Sequence, residues 1–284
     1  MGLVNQVNGD NLQKERMKKL LRVGEDGLTP DEQKRVREFV LEGHDVFTLS
    51  ELERGKVEGV RHEIDTGESP PIRQPPRRVP FSLRPKIKEL VDDMLKAKVV
   101  QESNSPWSSP VVLVKKKSGG YRFCVNYRAL NAVTRIDVFP MPRIDDMLDQ
   151  LGGKKIFTTL DARSGYWQIK MGAESQEKTA FSTHDGLYEF RVMPFGMCNG
   201  PATFQRLMQH ALRGFGEFCN VYIDDMIVFS SSVDEHLKHL GLVFDRLRDV
   251  GVKLHPDKCE FASPKVHYLG HVITGEGIRI RSGQ

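Results

Sequence analysis

Long apolar runs are missing from this chain. Nowhere in its 284 residues does a stretch approach the roughly 18 consecutive apolar residues of a membrane-spanning helix. The opening stretch, Met1 to Arg22, is polar and charged and lacks the apolar segment of a secretory signal. Cysteine is scarce as well: four residues, at 124, 198, 219 and 259, with no C-x-x-C pair. That spacing argues against a disulfide framework and suits a reducing, intracellular compartment, cytoplasm or nucleus. A zinc site built from Cys259, His267 and His271 lacks a fourth ligand at a suitable spacing. Low-complexity tracts and internal repeats are absent too, and 39% hydrophobic with 28% charged residues describes an ordinary globular chain.

A strong net charge is also lacking, at +4 overall, but the charge is unevenly placed. Pro71 to Arg135 carries 14 Lys and Arg against 4 Asp and Glu, leaving 28 basic and 34 acidic residues elsewhere. A basic segment joined to a mildly acidic remainder fits contact with a phosphate backbone, and on charge alone it fits an uneven solvated surface equally well.

Lys14 to Val23 and Pro30 to Gly43 read as short amphipathic helices, the second capped by Thr29. A Pro-rich connector, Ser69 to Pro80, follows. Apolar residues at Ile87, Leu90, Val91, Met94 and Leu95 predict a helix over Ser82–Val99. Val111–Lys117 and Tyr121–Tyr127, separated by Ser118-Gly119-Gly120, predict a hairpin. Helices are expected at Pro142–Leu151, Pro201–Leu212 and Val233–Val250, the last ended by Gly251. Strands are expected at Phe157–Leu160 and Val266–Ile273, and a buried hairpin at Asn220–Ser230. Helices and hairpins mix without repeated βαβ units, which gives an α+β class.

Two adjacent carboxylates stand out in Val221-Tyr222-Ile223-Asp224-Asp225-Met226-Ile227-Val228-Phe229, a run that otherwise reads as sheet core. Burying an unpaired carboxylate is very unfavourable, so the pair belongs at a hairpin tip or beside a cation. A plain solvated Asp-Asp turn is the competing reading, although tight two-residue turns favour Gly and none is here. Asp161 ends a second β-type run, just before a Gly-containing turn. Three carboxylates from two neighbouring strand ends suit a pair of Mg²⁺ ions about 4 Å apart, the arrangement used for nucleotidyl transfer.

These residues lie in a longer series of motifs: SPWSSPVVLVKKKSGGYRFCVNYRALN, FPMPRIDDML, FTTLDARSGYWQI, KTAFST, MPFGMCNGPATFQ, VYIDDMIVFS, HPDKCEF and HYLGHVI. In order and spacing the series resembles the reverse transcriptases of gypsy-class LTR retrotransposons, relatives of retroviral polymerases, from about His62 to Ile278. The resemblance implies a right-hand polymerase with an antiparallel palm sheet backed by helices, and fingers drawn from two stretches. Palm falls at about 137–168 and 200–278, and fingers at about 76–136 and 169–199, within a reverse transcriptase domain at 71–278. Residues 1–70 become a helical lead-in and linker, and 279–284 a tail, with thumb and RNase H expected to be absent from this chain.

The resemblance also implies site residues. Asp161, Asp224 and Asp225 match the catalytic carboxylates and metal ligands, with the Ala162 carbonyl as a further ligand; by local logic alone Asp225 is equally a turn residue. Tyr166, after Gly165, matches the aromatic gate that selects deoxyribose. Trp167 is expected in the core, because strand alternation cannot place both rings on one face. Arg122 and one of Lys115, Lys116 and Lys117, with Lys116 preferred, match the triphosphate grip; a solvated tip with edge-protecting lysines is the bland reading. Phe195 and Gly196 match residues that contact the nascent pair. Gln205, Tyr222 and the Tyr268-Leu269-Gly270 primer-grip motif match template and primer contacts, and Lys258 matches a proton donor to pyrophosphate or is a plain surface lysine. Two Mg²⁺ ions (or Mn²⁺), dNTPs, an RNA or DNA template with its primer, and protease, RNase H and integrase neighbours are the implied partners, with no membrane.

Asn126, Cys198 and Gly200 depart from the family's usual residues, and none is an expected ligand. A truncated relic that binds nucleic acid without extending it is the first alternative. A two-metal nuclease would need neither Tyr166 nor Arg122, and an RNA-synthesising polymerase would not carry the Tyr166 ring. Asp65-Thr66-Gly67 spells an aspartic-protease triplet but precedes a Pro-rich linker.

Overall fold

The computed structural model describes residues 12–50, 55–116 and 119–280, so Lys117 and Ser118 lie outside the described residues. The chain divides into two compact units. One comprises Met1–Gly55, Pro140–Gly165 and Gln205–Gln284; the other comprises Lys56–Phe139 and Tyr166–Phe204. Among the described residues no helix is long and apolar enough to cross a membrane.

The first unit is built on a five-stranded sheet ordered Arg22–Val23, Glu260–Ser263, Ile156–Asp161, Asp225–Ser230, Cys219–Tyr222. All neighbours run antiparallel except the Arg22–Val23 strand, which joins Glu260–Phe261 in parallel. Both faces are covered, which explains why Met226 to Phe229 is an unbroken apolar run rather than an alternating one. Phe157, Ile227 and Phe229 point to one face, where they meet Met147, Leu148 and Leu151 and the meander formed by Lys265–Tyr268, His271–Thr274 and Gly277–Ile280. The other face carries the helix Val233–Val250. Its Phe244 ring lies 5.9 Å from Phe39 of the helix Pro30–Glu42 and 5.6 Å from Phe47. Gly251 ends the long helix at φ 75°, a left-handed cap that glycine adopts without strain.

The lead-in is therefore not an appendage. Residues 12–20 are helical, Arg22–Val23 is a short strand of the main sheet rather than the end of a helix, and Thr29 forms a capping box with Glu32. Val266–Ile273, read from sequence as one strand, is two. Leu269 and Gly270, both at positive φ (47° and 80°), turn the chain between Tyr268 and His271. Two successive positive-φ residues are what a two-residue hairpin turn of this hand requires.

The second unit holds a five-stranded mixed sheet ordered Val100–Glu102, Leu187–Phe190, Phe181–Ser182, Ser109–Lys115, Tyr121–Val125. The helix Arg84–Lys96 buries Ile87, Val91 and Met94 against Val111, Phe181 and Phe190. The predicted basic hairpin is present, with Val111 opposite Val125 and Lys115 opposite Tyr121. Its tip returns through Gly119 and Gly120 at φ 86° and 73°, and the Lys116 amide donates to the Gly120 carbonyl. All four cysteines are free, with Cys219 and Cys259 buried.

Candidate active site

Strand pairing brings the first and last carboxylates together. In the ladder between Ile156–Asp161 and Asp225–Ser230, Asp225 stands directly opposite Asp161. By strand alternation both project to the face that carries Phe157, Ile227 and Phe229, at the end where that apolar face stops. A cavity of about 140 Å³ opens there, lined by Asp161, Asp225, Lys258 and the Tyr268-Leu269 corner of the meander.

The hairpin that delivers Asp225 turns through Ile223 and Asp224, because Tyr222 pairs with Asp225. Asp225 opens the strand and Asp224 is the turn residue. Ile223 sits at φ 57°, a conformation that a β-branched residue adopts only under strain. Gln205 holds it there. Its Nε2 donates to the Val221 carbonyl (3.0 Å), and its Oε1 accepts from the Ile223 amide (2.6 Å). Gln205 is 0% exposed, so the side chain expected on a template strand is instead committed to this turn. Tyr268, expected on a primer, is 3% exposed and its hydroxyl faces the Asp225 carbonyl at 3.4 Å. It is a strut under the Asp224-Asp225 hairpin, and the open part of its motif is the Leu269-Gly270 turn. Tyr222 packs half-buried beside the same core.

The carboxylates repel one another, and packing on one side limits the solvation of Asp161 and Asp225. Burial, then the Asp224 and Asp161 charges, push the Asp225 carboxyl up to about 6, although the residue remains open to solvent at its edge. Burial raises Asp161 too, opposed by Lys258, whose ammonium lies 3.2 Å from Oδ1 and 3.4 Å from Oδ2. A cation thus already compensates one of the two acids.

The Ala162 residue forms an isolated bridge with Leu254. The two bonds of that bridge run from the Arg163 amide to the Lys253 carbonyl and from the His255 amide to the Asp161 carbonyl, so neither uses the Ala162 carbonyl. Among the described residues no group of three or more acidic, Cys or His side chains forms a ready metal cage. Paired hard oxygens on Asp161 and Asp225 fit Mg²⁺ nonetheless, because that ion takes one or two carboxylates and fills the rest of its shell with water and phosphate.

Gly165–Gln168 is a 3₁₀ turn rather than a strand. This corrects the expectation that Tyr166 and Trp167 must face opposite ways. Tyr166 stacks on Phe195 at 5.2 Å and 28°, and Trp167 approaches the same ring at 6.0 Å. Phe204 borders Tyr166 at 5.9 Å, and a Cβ on Gly200 would touch its ring. Phe195 is half-exposed, and Gly196 turns beside it at φ 93°. Asn131 clamps this loop, donating to the Gly196 carbonyl and accepting from the Cys198 amide. Sequence reasoning missed Asn131, although its place in the RALN motif was a usable signal. Lys116 and Arg122 are exposed on the basic hairpin. Asp65 accepts from the Gly67 amide and pairs with Arg135, an exposed turn with none of the burial a protease acid needs.

A family model described as reverse transcriptase (RNA-dependent DNA polymerase) matches residues 114–273. The chain belongs to the reverse transcriptase family. It is 42% identical over 226 residues to the retrovirus-related Pol polyprotein from transposon 297 of Drosophila melanogaster, a match that covers 78% of this chain and 21% of that protein. It is 39% identical over 188 residues to the enzymatic polyprotein of Cauliflower mosaic virus (strain Strasbourg), covering 65% of this chain and 27% of the relative. The chain thus spans about a quarter or less of the curated relatives it matches. Among solved structures, the foamy viral protease-reverse transcriptase dRH in complex with ds DNA is 25% identical with a TM-score of 0.84, over 96% of this chain and 47% of that one. The same enzyme in complex with an RNA/DNA hybrid also gives 0.84, over 96% and 36%. The fold is accordingly the right-hand polymerase fold, of mixed α+β class.

Proposed function

We propose that this chain is the RNA-directed DNA polymerase part of a retrotransposon Pol protein, joining deoxynucleotides to a primer 3′-hydroxyl. The observation that carries the reading is the cross-strand placement of Asp161 opposite Asp225 in a member of the reverse transcriptase family. In the reaction the primer 3′-oxygen forms a bond to the α-phosphorus as the α–β phosphoanhydride breaks. The 3′-hydroxyl loses its proton and pyrophosphate leaves. Asp161, Asp225, Asp224 and the Ala162 carbonyl are the groups that would hold two Mg²⁺ ions, or Mn²⁺, which when bound lower the barrier by stabilising the attacking and leaving oxygens.

The protein's own contribution is placement. Gln205 and Tyr268 fix the hairpin so that Asp225 meets Asp161. Lys258 balances the Asp161 charge. A second role, giving a proton to the departing pyrophosphate, is the one its motif implies. Tyr166, braced by Phe195, is assigned the sugar-selecting role, Gly165 its turn, and Phe195 and Gly196 contact with the nascent pair. Arg122 and Lys116 are assigned the triphosphate. Leu269 and Gly270 are assigned the primer, with Tyr222 and Tyr268 supporting from below. In this reading the fingers lie at about 76–136 and 169–199 and the palm at about 137–168 and 200–278. Protease, RNase H and integrase are the expected polyprotein neighbours.

The test is extension of a DNA primer on an RNA template with Mg²⁺, comparing dNTPs with rNTPs. Extension with dNTPs, abolished by EDTA and at least about 100-fold slower with rNTPs, is the expected result. Binding of template-primer without extension would instead identify a binding relic.

A further inference from the structure

The lead-in reaches the strand of Asp161 through one intervening segment. Leu254, fully buried, bridges to Ala162 on one side and to Phe47 on the other. On the first side the Arg163 amide donates to the Lys253 carbonyl, and the His255 amide donates to the Asp161 carbonyl. On the second the Leu254 amide donates to the Val46 carbonyl (2.8 Å), and the Thr48 amide donates to the Leu254 carbonyl (3.1 Å). Residues 46–48, 253–255 and 161–163 thus form a three-ply ladder inside the first unit. Each bridge is two hydrogen bonds long, and a pairing so short persists only when it is held from outside.

Asp45 does the holding. Its carboxylate forms a two-pronged ion pair with Arg248, whose Nε lies 2.5 Å from Oδ2 and whose Nη2 lies 3.0 Å from Oδ1. Its backbone carbonyl accepts from Lys253 Nζ. One residue therefore grips both the last turn of the helix Val233–Val250 and the first residue of the middle ply. Further contacts fix the outer ply. Gln13 donates to the His44 and Phe47 carbonyls, and the Phe47 ring stands edge-on to Phe244 and Phe261 at 5.6 and 6.0 Å.

The ladder aims Lys258. A one-turn 3₁₀ helix, Pro256–Lys258, starts where the middle ply ends, and the Lys258 amide donates to the His255 carbonyl. From there the ammonium reaches Asp161, 3.2 Å from Oδ1. Because the His255 amide is bonded to the Asp161 carbonyl, a shift of the middle ply moves Lys258 against its own carboxylate partner.

We propose that residues 44–48 are a brace that seats Lys258 on Asp161, with Asp45 as its positioning residue. The value of that seat to nucleotide addition rests on the polymerase reading. A purely stabilising ion pair is the plainer alternative, and it makes a different prediction. With the Asp45 and Arg248 side chains 44% and 37% exposed, the pair contributes little to global stability, so its loss leaves the fold intact and loosens the ladder.

The experiment joins amide hydrogen exchange, read by mass spectrometry, to single-turnover primer extension. Wild type, Asp45→Ala and Arg248→Met are compared, each shown by thermal melting to be folded. In Asp45→Ala the amides of Arg163 and of residues 253–258 should exchange at least about 5-fold faster, while the strand Asp225–Ser230 and the helix Arg84–Lys96 keep their wild-type rates. Arg248→Met removes the same pair from the other side and should loosen the same amides. Asp45→Ala should lower the maximal rate of dNTP addition about 10-fold, with dNTP and template-primer affinities within about 2-fold of wild type. In a Lys258→Ala background the same substitution should cost less than about 2-fold, because the group it positions is gone. Unchanged exchange at 253–258, an equal rise across the whole first unit, an unchanged extension rate beside local loosening, or the full loss persisting in Lys258→Ala would overturn the proposal. The exchange readout needs no catalysis. Wild type that fails to extend a primer, beside local loosening in Asp45→Ala, would sink the polymerase reading and leave the brace standing.

Discussion

Asp225 stands directly across the strand ladder from Asp161, two carboxylates facing each other where a sheet protein would ordinarily place complementary groups. Like charges in that relation destabilise a sheet. The arrangement is therefore held against its own electrostatics, and under the proposed function a bound cation would relieve the repulsion. Asp225→Asn removes the repulsion and keeps the shape. Without divalent ions the variant should melt about 1–3 °C higher than wild type, from roughly 0.2–1 kcal/mol. Addition of Mg²⁺ should stabilise wild type more than the variant. Differential scanning fluorimetry with and without 10 mM MgCl₂, a concentration set on the order of typical assay conditions, measures both; a variant less stable than wild type in EDTA would contradict the first point.

The strained turn depends on Gln205. Replacing it by Leu, similar in size, leaves the Ile223 amide and Val221 carbonyl without their partner inside the fold. Urea unfolding should report a loss of about 1–3 kcal/mol. The extension rate should fall much more than template-primer affinity, which should stay within about 2-fold because the side chain is buried. Equal losses in both would place Gln205 at the nucleic-acid surface after all.

His236 makes stability depend on pH. It is fully buried, with Thr158 Oγ1 2.7 Å from Nε2 and Ser230 Oγ 2.9 Å from Nδ1, and Ser230 also meets His239. The Ala262 amide also donates to Thr158 Oγ1, so both ring nitrogens of His236 face hydroxyls anchored in the sheet. Burial, then the neighbouring His239, lowers the His236 pKa from 6.5 to about 3. A histidine whose folded pKa is lowered favours the neutral fold. Its contribution is complete above pH 6.5 and is lost as pH falls toward 3, by up to about 1.4 kcal/mol per unit. Urea midpoints from pH 7 to 5 should fall more steeply in wild type than in His236→Gln. Parallel slopes would remove His236 as the cause.

Gly172 leaves room for the exposed Glu63 side chain, which would have to swing aside to admit a Cβ. A Cβ there would collide with both carboxylate oxygens of Glu63, which also accepts from Ser175 Oγ. Gly172→Ala should destabilise the protein by about 1–2 kcal/mol in urea unfolding. Combining it with Glu63→Ala should give less than the sum of the two single losses. Additive losses would mean that the two residues are not coupled.

Local signals carried much of this fold. Thr29 and Gly251 mark helix ends because a cap acts within one turn, and paired glycines mark the basic hairpin because positive φ is theirs at no strain. The apolar run around Asp224-Asp225 marks a covered sheet for the same local reason. What stayed hidden depends on partners distant in the chain. Arg22-Val23 has no pattern of its own and becomes a strand only beside Glu260-Phe261. The burial of Gln205 and Tyr268 follows from where the Asp224-Asp225 hairpin lands, and no spacing rule reports that. Tyr166 and Trp167 share the Phe195 ring because the chain turns as a 3₁₀ helix where a strand was expected.

The central claim is that Asp161 and Asp225 form a working catalytic pair. The direct test is single-turnover extension of a DNA primer on an RNA template with Mg²⁺ and dNTPs. Asp161→Asn and Asp225→Asn are compared with wild type, and template-primer affinity is measured on the same samples. The account predicts that each variant binds template-primer within about 2-fold of wild type and extends it at least about 10³-fold more slowly. Extension by either variant at a rate near wild type, with binding intact, would contradict it.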